Sequence, residues 1–141
     1  MNVKFVIAGI AGFLISLIGG FVFHGFLLHG DYAQIPNLMR TDANAMNYLP
    51  FMMASHLIKG FAFAWIYKKG LTPGVTALTQ GVKYGVATVF LVTVPLYLVY
   101  YAVQPMPGTL VVKQIVSDSI VMILMGVAVA MIIKQAAANN A

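Results

Sequence analysis

The sequence predicts an all-α fold, an antiparallel four-helix bundle that is integral to a membrane. Of its 141 residues, 61% are hydrophobic and only 8% are charged, and the mean hydropathy is +0.91. A soluble domain of this size has about a quarter of its residues charged, so lipid must cover most of this surface. Because a membrane-spanning helix needs about 20 apolar residues, the length holds four spans in a single transmembrane domain, residues 1–141.

The composition also excludes several classes of site and partner. The chain has no cysteine, which removes disulfides, thiolate metal sites and redox dithiols. A net charge of +5 would suggest a nucleic-acid partner in a soluble protein, but most of these charges lie at the ends of apolar segments, so we expect none. The first apolar run is longer than the core of a cleavable signal, about 7–15 residues, and we expect it to remain as a span.

Four apolar segments, separated by residues that break helices, define the predicted spans. They cover about residues 3–28, 49–67, 75–103 and 110–134, with an outer loop over 29–48. Pro50 suits the first turn of the second span. Pro95 should kink the third span, where it could act as a hinge. The outer loop fits either a short helix lying on the membrane surface or an ordered irregular loop.

The positions of lysine and arginine predict how the bundle is oriented. Cytoplasmic loops carry an excess of these residues. Five lysines lie at or near one face: Lys4, Lys68, Lys69, Lys83 and Lys134. Arg40 and Lys113 lie at the other face, where Tyr97, Tyr100 and Tyr101 would form an aromatic belt. We therefore expect both termini in the cytoplasm, with the chain in the inner membrane of a bacterium.

Small residues at four-residue spacing predict close packing between the spans. On a helix this spacing makes one continuous stripe, and small side chains let helix backbones approach closely in lipid. Each span carries such a stripe: Gly12, Ser16 and Gly20 in the first, Gly60 and Ala64 in the second, Gly81 and Gly85 in the third, and Gly126 and Ala130 in the fourth. The nine methionines are scattered and are more typical of gap fillers than of copper ligands.

Four ionisable residues within the spans form the candidate site: His24, His56, Lys59 and Asp118. Ionisable groups in hydrocarbon usually face the bundle interior or a cavity, and the small-residue stripes aim both imidazoles inward. At a rise of about 1.5 Å per residue, His56 and Asp118 lie roughly 10–12 Å inside the outer ends of their spans. The Lys59 side chain leans toward the start of its helix, which brings its ammonium near the level of Asp118.

Three interpretations of this cluster remain open. A structural ion pair between Lys59 and Asp118 would offset two charges that each cost at least ~2.5 kcal/mol to insert. The same groups could form a site or pathway for a proton, an ion or a small solute. His24 and His56 could instead bind haem or a metal ion. No spacing specifies such ligation, so we predict neither a cofactor nor a metal site.

The sequence lacks the motifs of common enzymes. It has no phosphate-binding glycine loop, no His-Glu-x-x-His pattern and no nucleophile elbow, so we expect no catalytic residue. The leading hypothesis is a non-enzymatic membrane protein that packs with itself, as a homo-oligomer, or serves as an accessory subunit of a larger membrane complex. A proton, ion or small-solute pathway is the alternative, and haem or metal binding is the third possibility.

Several short motifs also match the pattern of a family. They are Gly19-Gly20, Phe23-His24-Gly25, Leu27-Leu28, Tyr32, residues 62–67, Gly81 to Gly85, and Val116 to Val121 around Asp118. On these motifs, nearly the whole chain resembles a family of small, uncharacterised bacterial four-helix integral membrane proteins. The resemblance implies an inner-membrane bundle without an established activity. It also implies that His24 and Asp118 are recurrent polar positions, whereas Lys59 is not expected from it.

Overall fold

The computed structural model describes residues 3–138, without the side chains of Asp42 and residues 134–138. Every regular element in this range is helical. In chain order they are α1 (Val3–Gly20), a first π segment (Phe21–Leu27), α2 (His29–Tyr32), a 3₁₀ turn (Pro36–Leu38), α3 (Asp42–Lys69), α4 (Ala77–Thr88), a second π segment (Val89–Thr93), α5 (Val94–Val103) and α6 (Gly108–Ala138). The all-α prediction is therefore confirmed.

Four of these helical stretches are long and apolar enough to cross a membrane. They are Val3–Leu27, Ala43–Lys69, Ala77–Val103 and Gly108–Ile133. Three of them lie within about two residues of the predicted spans, which is the usual difference between assignments of a helix end. Their length and composition suggest a multi-pass membrane protein.

The second span begins earlier than the sequence predicted. The predicted outer loop, 29–48, is wrong at its second end, because α3 starts at Asp42 and holds Pro50 in its interior. Proline was expected to mark the first turn, but helices in membranes tolerate internal proline where neighbouring groups satisfy the freed backbone. The connection before α3 contains α2 and the 3₁₀ turn, so it is neither one surface helix nor wholly irregular.

Close backbone contacts join α1 to α3 and α4 to α6. A Cβ atom added to Gly60 would lie 2.6 Å from the Gly9 carbonyl oxygen, and one added to Gly81 would lie 2.6 Å from that of Gly126. Neither approach leaves room for a side chain. A Cβ on Gly85 would likewise lie 2.7 Å from the Ile123 Cα atom. The glycines therefore determine how closely these two helix pairs pack.

The apolar core occupies one half of the bundle, which we call the packed half. Its buried side chains are Ala8, Phe63, Ala64, Tyr67, Val89, Val121, Met122, Met125, Val129, Ala130 and Ile133. They belong to the first part of α1, the last part of α3, the start of the second π segment and the second part of α6. The opposite half, bounded by residues 16–25, 45–59 and 114–118, carries the polar side chains described below.

Pro95 lies at the second position of α5, directly after the second π segment. A proline ring crowds the carbonyl group four residues before it and removes a hydrogen-bond donor. The wider π-helical turn over Val89–Thr93 lies directly before Pro95, where the ring would crowd the backbone of a regular α-helix. Pro95 as a moving hinge stays a prediction.

Candidate functional site

The first π segment places His24 at the centre of the bundle's polar half. The Leu28 amide donates to the carbonyl of Phe23, five residues earlier, at 2.8 Å. Such π turns are rare, and they occur often at functional sites. His24 lies in the middle of this segment, with its side chain 25% exposed.

A chain of hydrogen bonds runs through both ring nitrogens of His24. Its Nε2 lies 2.9 Å from Asp118 Oδ1, and its Nδ1 lies 2.6 Å from the Tyr32 hydroxyl. Gln114 Nε2 donates to the Tyr32 oxygen at 2.9 Å. The Tyr97 hydroxyl donates to Asp118 Oδ2 at 2.6 Å. The network therefore joins the first π segment, α2, α5 and α6.

The directions of the hydrogen bonds in this network indicate which ring nitrogen of His24 carries the proton. The Tyr32 oxygen accepts from Gln114, so its own proton is free to donate to His24 Nδ1. The neutral tautomer with the proton on Nε2 then donates to Asp118. Asp118 accepts a bond at each oxygen, as a carboxylate should. The chain of donors thus ends at one anion within the bundle.

Tyr32 lies outside the four candidate spans and is held in its protonated form. Burial raises the pKa of its hydroxyl, and the nearby charges of Asp118 and Asp31 raise it further, while the hydrogen bond from Gln114 opposes the shift. An ion pair between Lys113 Nζ and Asp31 Oδ1, 2.7 Å apart, fastens α2 to α6 beside it. Tyr32 therefore keeps the proton that it donates to His24.

A hydrogen bond outside this network joins α1 to α3. Ser16 Oγ lies 2.6 Å from His56 Nδ1, and Ser16 is only 2% exposed. Gly20 leaves room for the ring, since a Cβ atom there would lie 3.3 Å from His56 Cε1. Within the described part of the chain, His56 Nε2 has no hydrogen-bond partner.

A cavity of about 930 Å³ lies between α1, α3 and α6. Its polar wall contains Ser16, His24, Tyr32, His56, Lys59 and Asp118. Ile18, Phe21, Leu49 and Met52 also line it and are exposed, so they form an apolar rim. Val121 and Met122 belong both to the lining and to the apolar core, and they form the floor of the cavity. Pockets for small molecules span about 300–1,000 Å³.

The structure brings all four predicted polar residues to this cavity, but not in the predicted pairing. The Lys59–Asp118 ion pair is wrong, because Asp118 pairs with His24 and Tyr97 instead. Among the described side chains, Lys59 lies within ion-pair distance of no carboxylate. It lines the cavity beside His56.

Three partners in the site were not found from the sequence. Tyr97 was assigned to the outer aromatic belt, but it is 8% exposed and bonds to Asp118. Its four-residue spacing from the buried Thr93 and Val89 is the signal that indicates an inward face. Gln114, one turn before Asp118, carries the same signal. Tyr32 lies in a loop, where helical spacing gives no guidance.

Haem or metal binding by His24 and His56 stays a prediction. Both ring nitrogens of His24 lie in protein hydrogen bonds, whereas His56 uses only its Nδ1 in a hydrogen bond among the described residues. Across the described residues, no group of three or more histidine, cysteine or carboxylate side chains is placed to hold a metal ion.

No family model matches the chain, and no curated protein and no solved structure is significantly similar to it. The resemblance to small four-helix membrane proteins therefore stays a prediction. The cavity and its polar wall are the features of this chain that point to a function.

Proposed function

We propose that this chain is a non-enzymatic protein of the bacterial inner membrane that binds a small amphipathic molecule in the cavity beside His24 and Asp118. The observation that carries the proposal is the cavity itself, about 930 Å³ with an apolar rim and a polar wall. Ionisable residues in a span usually serve a site or cavity. Here they line one cavity of a size suited to a single small molecule.

The closed end of the cavity supports binding over a pathway across the membrane. Below the floor, the core residues Met125, Val129 and Ala130 are 0% exposed. On the same side, α1 and α3 touch at Gly12 and Gly60, where an added Cβ would lie 3.1 Å from the facing Cα atom. A pathway would need a continuous line of polar groups or space through this packed half. The Tyr67 hydroxyl and the Gln80 side chain are buried there, but no hydrogen bond among the described residues joins them to the network at Asp118.

The apolar rim supports a membrane-borne occupant. Phe21 is 72% exposed and Ile18 is 59% exposed, on the part of α1 that lines the cavity. In a bilayer these side chains would contact lipid chains. A molecule with an apolar chain and a polar head would place its head against the wall and its chain along the rim.

We further propose an antiparallel bundle with both termini in the cytoplasm. The contacts between Ser16 and His56 and between Gly12 and Gly60 support the antiparallel arrangement, because residue numbers rise along α1 as they fall along α3. Lys68, Lys69 and Lys83 support the orientation, since cytoplasmic loops are rich in lysine.

Photocrosslinking with a diazirine derivative of hexadecanol tests the binding proposal. The purified protein in lipid nanodiscs should be labelled saturably in residues 16–25 and 45–59, and unlabelled hexadecanol should compete. Met53→Trp, which adds a large ring to the lining, should weaken labelling on the order of tenfold, or about 1.4 kcal/mol. Met131→Trp is the control, because Met131 is exposed and lies outside the cavity. Labelling that neither saturates nor responds to Met53→Trp would refute the proposal.

Packing with itself or within a larger complex stays a prediction. The large apolar side chains exposed on the outside of the bundle, such as Ile10, Phe90 and Leu124, suit contact with lipid and with another helix equally.

A further inference from the structure

Lys59 provides the unused hydrogen-bond donors of the cavity wall. Its ammonium has no hydrogen bond and no ion pair among the side chains that the structure describes. It lies three residues after His56 on α3, so both side chains share one face, and both line the cavity. When the Ser16 hydroxyl donates to His56 Nδ1, the Nε2 proton of that ring is a further donor directed at the same space.

Asp118 interacts with this ammonium through its charge but makes no hydrogen bond to it among the described residues. Its two oxygens accept from His24 at 2.9 Å and from Tyr97 at 2.6 Å, and among the described contacts neither oxygen lies within ion-pair distance of the Lys59 ammonium. A lysine in the middle of a span is costly to insert when it lacks a partner. The unsatisfied groups at the wall are therefore donors, one of them charged, and they select an acceptor.

We propose, on the basis of the binding function above, that the occupant is a single-chain amphiphile with a carboxylate head that pairs with Lys59. The formal charges of Lys59 and Asp118 cancel, so hydrogen bonding selects the head rather than net charge. A bond between an ammonium and a carboxylate is roughly twice as strong as one between neutral groups, which favours an acid over an alcohol of the same chain. The chain would lie along the apolar rim.

Competition at the cavity tests the head group. The hexadecanol photoprobe is bound first, and palmitate, hexadecanol and hexadecylamine then compete at a pH at which the free acid is ionised. We expect palmitate to compete at a concentration about tenfold lower than hexadecanol, in line with the stronger charge-assisted bond. Hexadecylamine should compete least.

Variants of the lysines make the test specific. Lys59→Met should abolish the preference for palmitate while the neutral probe still labels the cavity, and Lys59→Arg should keep the preference. Lys113→Met is the matched control, because that ammonium pairs with Asp31 outside the cavity lining. It should leave the preference unchanged.

Each outcome separates this inference from the function on which it rests. Equal competition by palmitate and hexadecanol, or a preference that survives Lys59→Met, would overturn the carboxylate head while cavity binding stands. Stronger competition by a lysophosphatidate of the same chain length would assign a phosphate head and also overturn it. If no probe labels the cavity, the proposed function itself fails.

Discussion

Asp118 joins elements that the chain separates widely. Because it accepts from His24 and from Tyr97, Asp118→Asn replaces one acceptor oxygen with an amide that faces a donor. Hydrogen bonds to charged groups contribute about 1.5–3 kcal/mol each. We therefore expect the free energy of unfolding to fall by roughly 2 kcal/mol, measured by denaturant titration in detergent with circular dichroism.

The neighbouring serine is the control for this prediction. Ser119 donates only to the carbonyl of Ile115 in its own helix, at 2.6 Å, so Ser119→Ala should change the free energy of unfolding by less than about 0.5 kcal/mol. If Asp118→Asn were as stable as Ser119→Ala, the network would not hold the bundle together.

Tyr32 should make stability depend on pH in the alkaline range. Burial raises its pKa above the ordinary value, and the charges of Asp118 and Asp31 raise it further, against the hydrogen bond from Gln114. A group whose folded pKa is raised contributes stability that is complete below its unfolded pKa, about 10 for tyrosine. This contribution is lost as the pH rises through the folded pKa.

The comparison of wild type with Tyr32→Phe isolates this effect. The difference in melting temperature between the two should be constant below about pH 9 and shrink above about pH 10. Tyr101→Phe, which removes the hydroxyl of a side chain that is 53% exposed, is the control for the loss of a tyrosine hydroxyl. A constant difference for Tyr32→Phe up to alkaline unfolding would contradict the assignment.

At the scale of elements, the crossing of α1 and α3 depends on glycine. A Cβ at position 60 would lie 2.6 Å from the Gly9 carbonyl oxygen and would also meet the backbone of Phe13. Gly60→Ala should therefore push the helices apart and lower the free energy of unfolding by about 1–3 kcal/mol, as overpacking does. The same unfolding titration measures it.

Gly30 provides a matched substitution for that experiment. It lies in the helical turn α2, and an added Cβ there has no atom within 4 Å. Because alanine restricts the unfolded chain more than glycine does, Gly30→Ala should be neutral or slightly stabilising. Similar losses for both variants would show that backbone entropy, and not the close approach, governs the effect at Gly60.

The elements that the sequence predicts well are those with a strong composition signal. Long apolar runs identify the spans because length and hydropathy suffice, whereas the start of α3 was missed because Pro50 suggested a helix start. The two π segments leave no trace in the pattern, since Phe21–Leu27 and Val89–Thr93 are apolar like their surroundings. Their hydrogen bonding depends on contacts between helices, which the sequence does not display.

The ionisable residues of the site could be predicted from the sequence, but their hydrogen-bond partners could not. Ionisable residues are rare in spans, so His24, His56, Lys59 and Asp118 stand out in an apolar sequence. Their partners depend on the rotation of each helix about its axis, and a nearly uniform apolar surface does not encode that rotation. Depth alone therefore brought Lys59 level with Asp118, while the structure pairs Asp118 with His24.

At the scale of the whole molecule, helix packing and the proposed binding site belong to different halves of the bundle. Glycine contacts and buried apolar side chains fill the packed half, which makes the floor of the cavity rigid. The other half contains the cavity and holds its polar side chains in place through hydrogen bonds between helices. Rigid support beneath a cavity keeps the polar wall in position without an occupant.

The proposed orientation predicts which loops face outward. Residue 37 lies in the connection before α3 and residue 72 in the turn after it, so one span separates them. The chain has no cysteine, so Asn37→Cys and Thr72→Cys each introduce a single thiol, and the unmodified chain is the control. A membrane-impermeant maleimide on intact spheroplasts should label Asn37→Cys, and it should label Thr72→Cys only after permeabilisation.

The reverse labelling pattern would mean that the bundle has the opposite orientation, whereas labelling of both without permeabilisation would mean that α3 does not cross the membrane. Because Arg40 is beside position 37 and Lys68 and Lys69 are beside position 72, the experiment also tests whether these charges orient the bundle as cytoplasmic lysines normally do.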